Sequence, residues 1–247
     1  MLRLKTVKLL RESVVRWDEY PFNIPPIASL DVLEIKSRIC FFVGENGTGK
    51  STLMEAIAAH YGFGREGGSR NFSFETTPSL RSIDSLVRAL RVGFTNRTGS
   101  GFYLRAESFF NVASYVDSVG GIDSYGGKSL HDQSHGESFI SLLQNRFTRS
   151  GFYVMDEPEA ALSPQRQLSF LVLLHDLLTN NHNIQFLIAT HSPILLAYPD
   201  AQILSFDDGH VHEIGYRDSQ PFQLVSRFVT APERYINALF SDKSNSE

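Results

Sequence analysis

Apolar residues fall along this chain in two rhythms. Short unbroken runs at Arg38–Val43, Gly151–Met155 and Ile184–Ala189 read as strands buried on both faces. Helical spacing marks Pro78–Leu90, where Leu80, Ile83, Leu86, Val87 and Leu90 share one face and Pro78 suits the first turn. The same spacing marks Gly136–Phe147, with Phe139, Leu142, Leu143 and Phe147 inward, and helices are also predicted over Ser51–Tyr61 and Pro164–Thr179. Leu2–Leu10 and Leu30–Ile35 read as an N-terminal antiparallel layer, and Gly101–Arg105 as a further strand. Ile203–Asp207 and His210–Gly215 form a hairpin about Asp208-Gly209, and a helical tail covers Phe222–Phe240. Gly62–Ser73 and Asn111–Ser134 read as loops. Buried strands alternating with helices predict an α/β fold with a mainly parallel sheet.

Composition narrows the class. Hydrophobic content of 42% and charged content of 20% describe a globular chain. Apolar stretches are short, and one of the longest, Phe170–Leu174, is broken by His175 and Asp176, so membrane insertion is not expected. The N-terminus lacks the apolar run and cleavage site of a signal peptide. The lone Cys40 cannot form an internal disulfide and reads as a small buried hydrophobe just ahead of an apolar strand. These features predict a cytoplasmic protein. A formal net charge of −4 gives no global attraction to nucleic acid. One region runs against that balance: Arg65, Arg70, Arg81, Arg88, Arg91, Arg97 and Arg105 are opposed only by Glu66, Glu75 and Asp84. Arginine suits phosphate through its bidentate fork, while a charge run also makes an ordinary solvated face.

The chemistry concentrates in a few segments. Gly44-Glu45-Asn46-Gly47-Thr48-Gly49-Lys50-Ser51-Thr52 matches the P-loop pattern and lies between a buried strand and a helix. Glycines let successive backbone N–H groups point at phosphate oxygens, and the following helix adds its positive dipole end. Lys50 is expected to reach the β- and γ-phosphates, and Ser51 to offer its hydroxyl to Mg²⁺. Gly151-Phe152-Tyr153-Val154-Met155-Asp156-Glu157-Pro158 delivers two acids to the C-terminal end of a strand, where α/β sheets bind ligands. Asp156 is the candidate Mg²⁺ carboxylate, and Glu157 the candidate general base for an attacking water. Glu159, a further acid, either modulates the base or faces solvent, and the solvent-facing reading is the expected one.

Two more segments separate the P-loop classes. Gln133-Ser134-His135-Gly136-Glu137-Ser138 opens an amphipathic helix before Asp156, and Ala189-Thr190-His191-Ser192-Pro193 follows a buried strand after it. With these in order, the chain resembles the ABC-type ATPase superfamily, in particular its soluble head ATPases of chromosome maintenance, double-strand-break repair and the RecF-like group, and short stand-alone ATPases of that kind. The resemblance runs from the N-terminal strands to about Asp207.

The resemblance implies a single ABC-type ATPase domain over 1–247, with a helical and signature lobe at about 75–148 between P-loop and Walker B. It implies ATP as the nucleotide, in keeping with the lack of an N-K-x-D guanine motif. Ser134, Gly136 and Glu137 align with the signature that binds the γ-phosphate held by an opposing subunit, with His135 where glycine is usual. The same residues also make an ordinary helix cap. His191 aligns with the switch histidine that contacts the γ-phosphate and the attacking water. Ala161-Leu162-Ser163-Pro164 is the D-loop, with Ser163 in place of the usual Asp. The Q-loop position falls at Phe102–Glu107 without a glutamine; Glu107 either reaches Mg²⁺ through water or pairs with Arg105. Arg11, Arg16, Trp17, Tyr20 and Phe22 stand where head ATPases contact the base, or form an N-terminal core cluster.

The function so implied is an ATP-dependent homodimer, closed head to head on two ATP·Mg²⁺, that hydrolyses ATP to drive or gate a nucleic-acid transaction or a partner effector in repair or defence. The alternatives are the nucleotide-binding subunit of a membrane transporter and a non-hydrolysing nucleotide sensor or scaffold.

Overall fold

The computed structural model describes residues 2–64, 67–68, 83–95, 97, 100–105, 139–140, 143–144 and 150–241. Two sheets organise them. The first pairs β1 (Leu4–Leu9) with β2 (Val32–Glu34) on one side and β4 (Leu90–Phe94) on the other, all antiparallel. The second runs β5 (Ser100–Arg105), β6 (Gly151–Asp156), β7 (Ile184–Ala189), β3 (Ile39–Val43), β8 (Gln202–Ser205), β9 (His212–Ile214) in spatial order. Its strands are parallel except β9, which returns antiparallel to β8 after the Asp208-Gly209 turn, where both residues have positive φ. The fold is therefore α/β with a mainly parallel central sheet and an N-terminal antiparallel layer.

Period-two alternation sends the central strands to two separate cores. Cys40 and Phe42 of β3, Phe152 and Val154 of β6, and Leu187 and Ala189 of β7 face α2 (Lys50–Tyr61) and the antiparallel sheet beyond it. Ile39, Phe41, Tyr153, Met155, Phe186 and Ile188 face the opposite way, against Phe170 and Leu174 of α4 (Pro164–Asn180). Phe139 and Leu143, helical residues where the sequence predicts an amphipathic helix, join this second core, with the Phe139 ring edge-on to Phe170. α2 is buried nearly all round because it lies between two sheets. Cys40 sits inside β3 rather than ahead of it, and burial pushes its thiol pKa upward, which keeps it inert.

Two glutamines join the sheets at the edge remote from the P-loop. Gln185 is 1% exposed. Its Oε1 accepts the N–H groups of Arg3 (2.8 Å) and Leu4 (2.7 Å), and its Nε2 donates to the carbonyls of Leu4 (3.1 Å) and Ser37 (3.3 Å). Gln202 accepts from the Lys36 N–H and donates to the Glu34 carbonyl.

Local readings are corrected at two places. The helix predicted to reach Leu90 ends one residue earlier, at Ala89 of α3 (Asp84–Ala89), and Leu90 opens β4, a strand that the sequence reading did not contain. Its five residues, LRVGF, carry too short an alternation to outweigh the helical period before them. β4 and β5 both lie within the 75–148 span and complete the two sheets. The tail is two helices, α6 (Gln220–Thr230) and α7 (Pro232–Ser241), which follow the short helix α5 (Pro193–Leu196). Pro232 lacks an N–H and drives Ala231 out of helical geometry, to φ −148° and ψ 65°.

Candidate functional site

Parallel neighbours deliver their C-terminal ends to one edge. β3 ends in the P-loop, β6 in Asp156 and Glu157, β7 in Thr190 and His191, and β8 leads to Asp207. Register keeps them level, with Ala189 beside both Phe42 and Asp156.

The P-loop closes on itself through polar contacts. Thr48 Oγ1 donates to the Glu45 carbonyl (2.8 Å), and Lys50 Nζ donates to the carbonyls of Gly44 (2.6 Å) and Glu45 (2.9 Å). Gly49 caps α2 at φ 95°, and a Cβ there would lie 3.1 Å from Ile24 and 3.2 Å from Ile27, so side-chain space as well as φ demands glycine. Gly47, at φ 82°, has open space where its Cβ would stand, which suits close approach of a phosphate to the backbone. The Glu45 N–H donates to Asp207 Oδ1 at 2.9 Å, so the segment after β8 also anchors the P-loop. Lys50 is buried, and desolvation lowers its pKa against the opposing pull of Glu157, Asp156, Asp207 and Glu45.

Ser51 Oγ lies 3.0 Å from Asp156 Oδ1. Asp156 is 7% exposed, and burial raises its pKa; the Ser51 hydroxyl and Arg105 act in the other direction. Two hard oxygen donors side by side, one of them a carboxylate held in a costly buried place, fit a magnesium ion. Ser51 and Asp156 would hold it, and it would supply charge neutralisation at the phosphates. Arg105 turns inward, 3.8 Å from the buried Glu55.

Glu157 sits in the left-handed region, at φ 52° and ψ 52°, with its N–H on the Ala189 carbonyl (3.0 Å). Such backbone is uncommon in a non-glycine residue. It aims the partly exposed carboxylate across the strand ends, where Glu157 Oε1 lies 3.6 Å from His191 Nε2. That nitrogen is buried and has no hydrogen-bond partner. Burial lowers the His191 pKa, Lys50 adds to this, and Glu157, Glu45 and Asp207 oppose it.

Glu159 does not face solvent. It lies in the 3₁₀ turn Pro158–Ala161, and its Oε1 accepts the His191 backbone N–H at 2.6 Å while Oε2 is buried. Desolvation raises its pKa. A parallel link uses Gln167 of α4, which donates to the Leu162 carbonyl (3.1 Å) and accepts from Ser192 Oγ. Ser192 in turn caps α5 by accepting from Ile194 and Leu195. The sequence reading missed Gln167, Asp207 and the inward role of Glu159. Only Gln167 carried a signal, as a polar residue on the same helical face as Phe170 and Leu174.

Upstream, the predicted aromatic group divides. Phe22 is core, whereas Trp17 and Tyr20 are exposed, with Arg11 over the Trp17 ring and the Tyr20 hydroxyl 3.0 Å from Thr52 Oγ1 beside the P-loop. His210 and His212 stack on each other at the surface, and no group of three or more His, Cys, Asp or Glu side chains placed to hold a metal occurs among the described residues. Glu107 and the signature residues Ser134, Gly136 and Glu137 lie outside the described residues.

A solved structure of a metal-chelate type ABC transporter in an inward-facing conformation matches 88% of this chain and 85% of its own at a TM-score of 0.53 and 16% identity. The likeness is one of fold. The head domain of the SMC protein from Thermotoga maritima matches 86% of this chain and 98% of its own, with a TM-score of 0.44 and 16% identity. An SMC head bound to the C-terminal winged-helix domain of ScpA matches 86% and 97%, at a TM-score of 0.48 and 12% identity. A family model described as AAA ATPase domain matches residues 135–196, which include Asp156, Glu157 and His191. No curated protein matches the chain. No described helix is long and apolar enough to cross a membrane.

Proposed function

We propose that this chain binds ATP with Mg²⁺ and hydrolyses it in a composite site, completed when two copies of the ABC-type ATPase domain meet head to head. The observation that carries the reading is the convergence of the P-loop, Asp156, Glu157 and His191 on one sheet edge, with Ser51 3.0 Å from Asp156 and Glu157 3.6 Å from His191. P-loop amides and Lys50 bind the phosphates. Lys50 leaves the Gly44 and Glu45 carbonyls to do so, which costs little because the phosphate replaces them as acceptor. Glu157 takes the proton of a water in line with the γ-phosphate, and His191 orients that water. Ser134, Gly136 and Glu137, at the start of a predicted helix in the 75–148 lobe, cap the ATP of the opposing copy. Loss of the γ-phosphate removes that contact and reopens the pair.

The output goes to a nucleic acid or a partner effector. Arg88, Arg91 and Arg97 are exposed, and Arg91 stands across the strand pair from the exposed Lys8, which supports an anionic partner on that side.

The test is the solution mass of the Glu157→Gln variant with and without ATP and Mg²⁺, beside a Ser134→Arg control. A doubled mass with ATP, absent in the control, is the expected result. ATP binding without a change in mass would sink the homodimer and leave the site to be completed by another protein.

A further inference from the structure

We propose that Glu159 is a positioning residue for His191, holding the switch loop so that the imidazole stands beside the Glu157 carboxylate. The inference rests on the ATPase reading and adds a residue to it. His191 is fixed from both sides along the chain. Before it, the Thr190 N–H donates to the Phe42 carbonyl at 3.1 Å. After it, the Ser192 N–H donates to Thr190 Oγ1 at 3.0 Å, and Ser192 Oγ is tied to Gln167. The remaining backbone donor of the loop, the His191 N–H, goes to Glu159 Oε1 at 2.6 Å.

Glu159 is unsuited to act on substrate itself. One carboxylate oxygen is spent on a backbone amide and the other is buried without a partner, so neither is presented to the open cleft. A carboxylate in such surroundings costs stability, and a short charge-assisted bond to the loop is what it provides in return. The turn that carries Glu159 runs from Glu157, the candidate base, to Leu162 in the predicted D-loop, whose carbonyl is held by the same Gln167 that binds Ser192. Base, histidine and D-loop thus share one hydrogen-bonded frame. A shift of the D-loop on meeting a second copy would move His191 through Glu159.

The test compares ATP turnover of Glu159→Gln and Glu159→Leu, each alone and combined with His191→Ala. Glutamine keeps an acceptor oxygen, and leucine keeps the volume without one. The leucine variant is expected to lose about 10- to 100-fold in kcat, as a misplaced catalytic group does, with KM for ATP within about twofold. Glutamine should restore kcat to within roughly threefold of wild type, since one acceptor suffices for one amide. In the His191→Ala background the leucine effect should shrink to less than about twofold, because residues that act through each other do not add. An undiminished leucine effect in that background, or none in the wild-type background, overturns the proposal. Hydrogen exchange at the His191 amide of the unmodified chain gives a reading that needs neither turnover nor a folded leucine variant. Protection equal to that of the neighbouring strand supports the bond, and free exchange refutes it. A wild-type chain that hydrolyses nothing but protects this amide would count against the ATPase reading and leave the geometric claim intact.

Discussion

Ser51 and Asp156, 105 positions apart in sequence, share a hydrogen bond of 3.0 Å between the P-loop helix and the end of β6. The bond sets a hydroxyl and a carboxylate oxygen side by side, the pair assigned to the cation in the proposed function. Asp156→Asn should therefore abolish the dependence of ATP affinity on magnesium. Wild type is expected to bind ATP roughly 10- to 150-fold more weakly once the metal is chelated, equivalent to the loss of about 1.5–3 kcal/mol in one charged contact. The variant should show the weaker value in both conditions. Titration calorimetry with and without EDTA checks this, and an unaltered magnesium dependence in the variant would remove Asp156 from the metal site.

The acid limb of turnover should report His191. Burial and Lys50 of α2 disfavour the imidazolium, while Glu157 on the strand end, Glu45 in the P-loop and Asp207 after β8 favour it. The net direction is down, so the ring stays neutral to a pH below its ordinary 6.5. With a neutral ring needed to orient water, kcat should hold through pH 6.5 and fall only on further acidification. A pH–rate profile of wild type against His191→Ala is the measurement. An acid limb of the same shape and position in both would assign it to another group.

Stability should depend on pH through Glu159. Its folded pKa is raised above the ordinary 4.5, with burial the leading cause. A group shifted this way contributes stability that is fully present below pH 4.5 and lost as pH rises through the folded value. Glu159→Gln removes that loss. Its Tm should exceed that of the wild type at pH 8 and approach it below pH 4.5. Thermal melts without nucleotide across this range test the sign, and a glutamine variant less stable at pH 8 would contradict it.

Gln185 should matter to stability far more than a polar residue in a strand ordinarily does. Replacing it with leucine costs the Arg3 and Leu4 amides and the Leu4 and Ser37 carbonyls the hydrogen bonds that Gln185 makes to them. The expected loss is about 2–4 kcal/mol, which lowers Tm by roughly 4–16 °C in a domain of this size. A change within about 1 °C would mean that water or a backbone shift replaces all four bonds.

Much of this architecture is legible in the chain itself. Buried strands announce themselves as unbroken apolar runs, and the P-loop, Asp156-Glu157 and His191 each follow one, so the sequence alone places them at strand ends. The parallel register then makes them neighbours. What stays hidden depends on contacts across long separations. Glu159 looks like one more acid after Glu157, and only the return of β7 beside β6 supplies the amide that draws it inward. Asp207 is an ordinary strand-end acid until β8 lies beside β3 and brings it to Glu45. The β4 strand is hidden for the same reason: Leu90 becomes a strand residue because Leu9 is there to pair with it.

The two glutamine links also set a timetable for synthesis. Leu4 waits for Gln185, 181 positions later, before its backbone is paired with that side chain. At the usual pace of translation that gap lasts on the order of ten seconds or more. During it the first strand can pair within the antiparallel layer but lacks the side chain that ties it to β7. Until Gln185 is made, that tie between the two sheets has only one of its two sides.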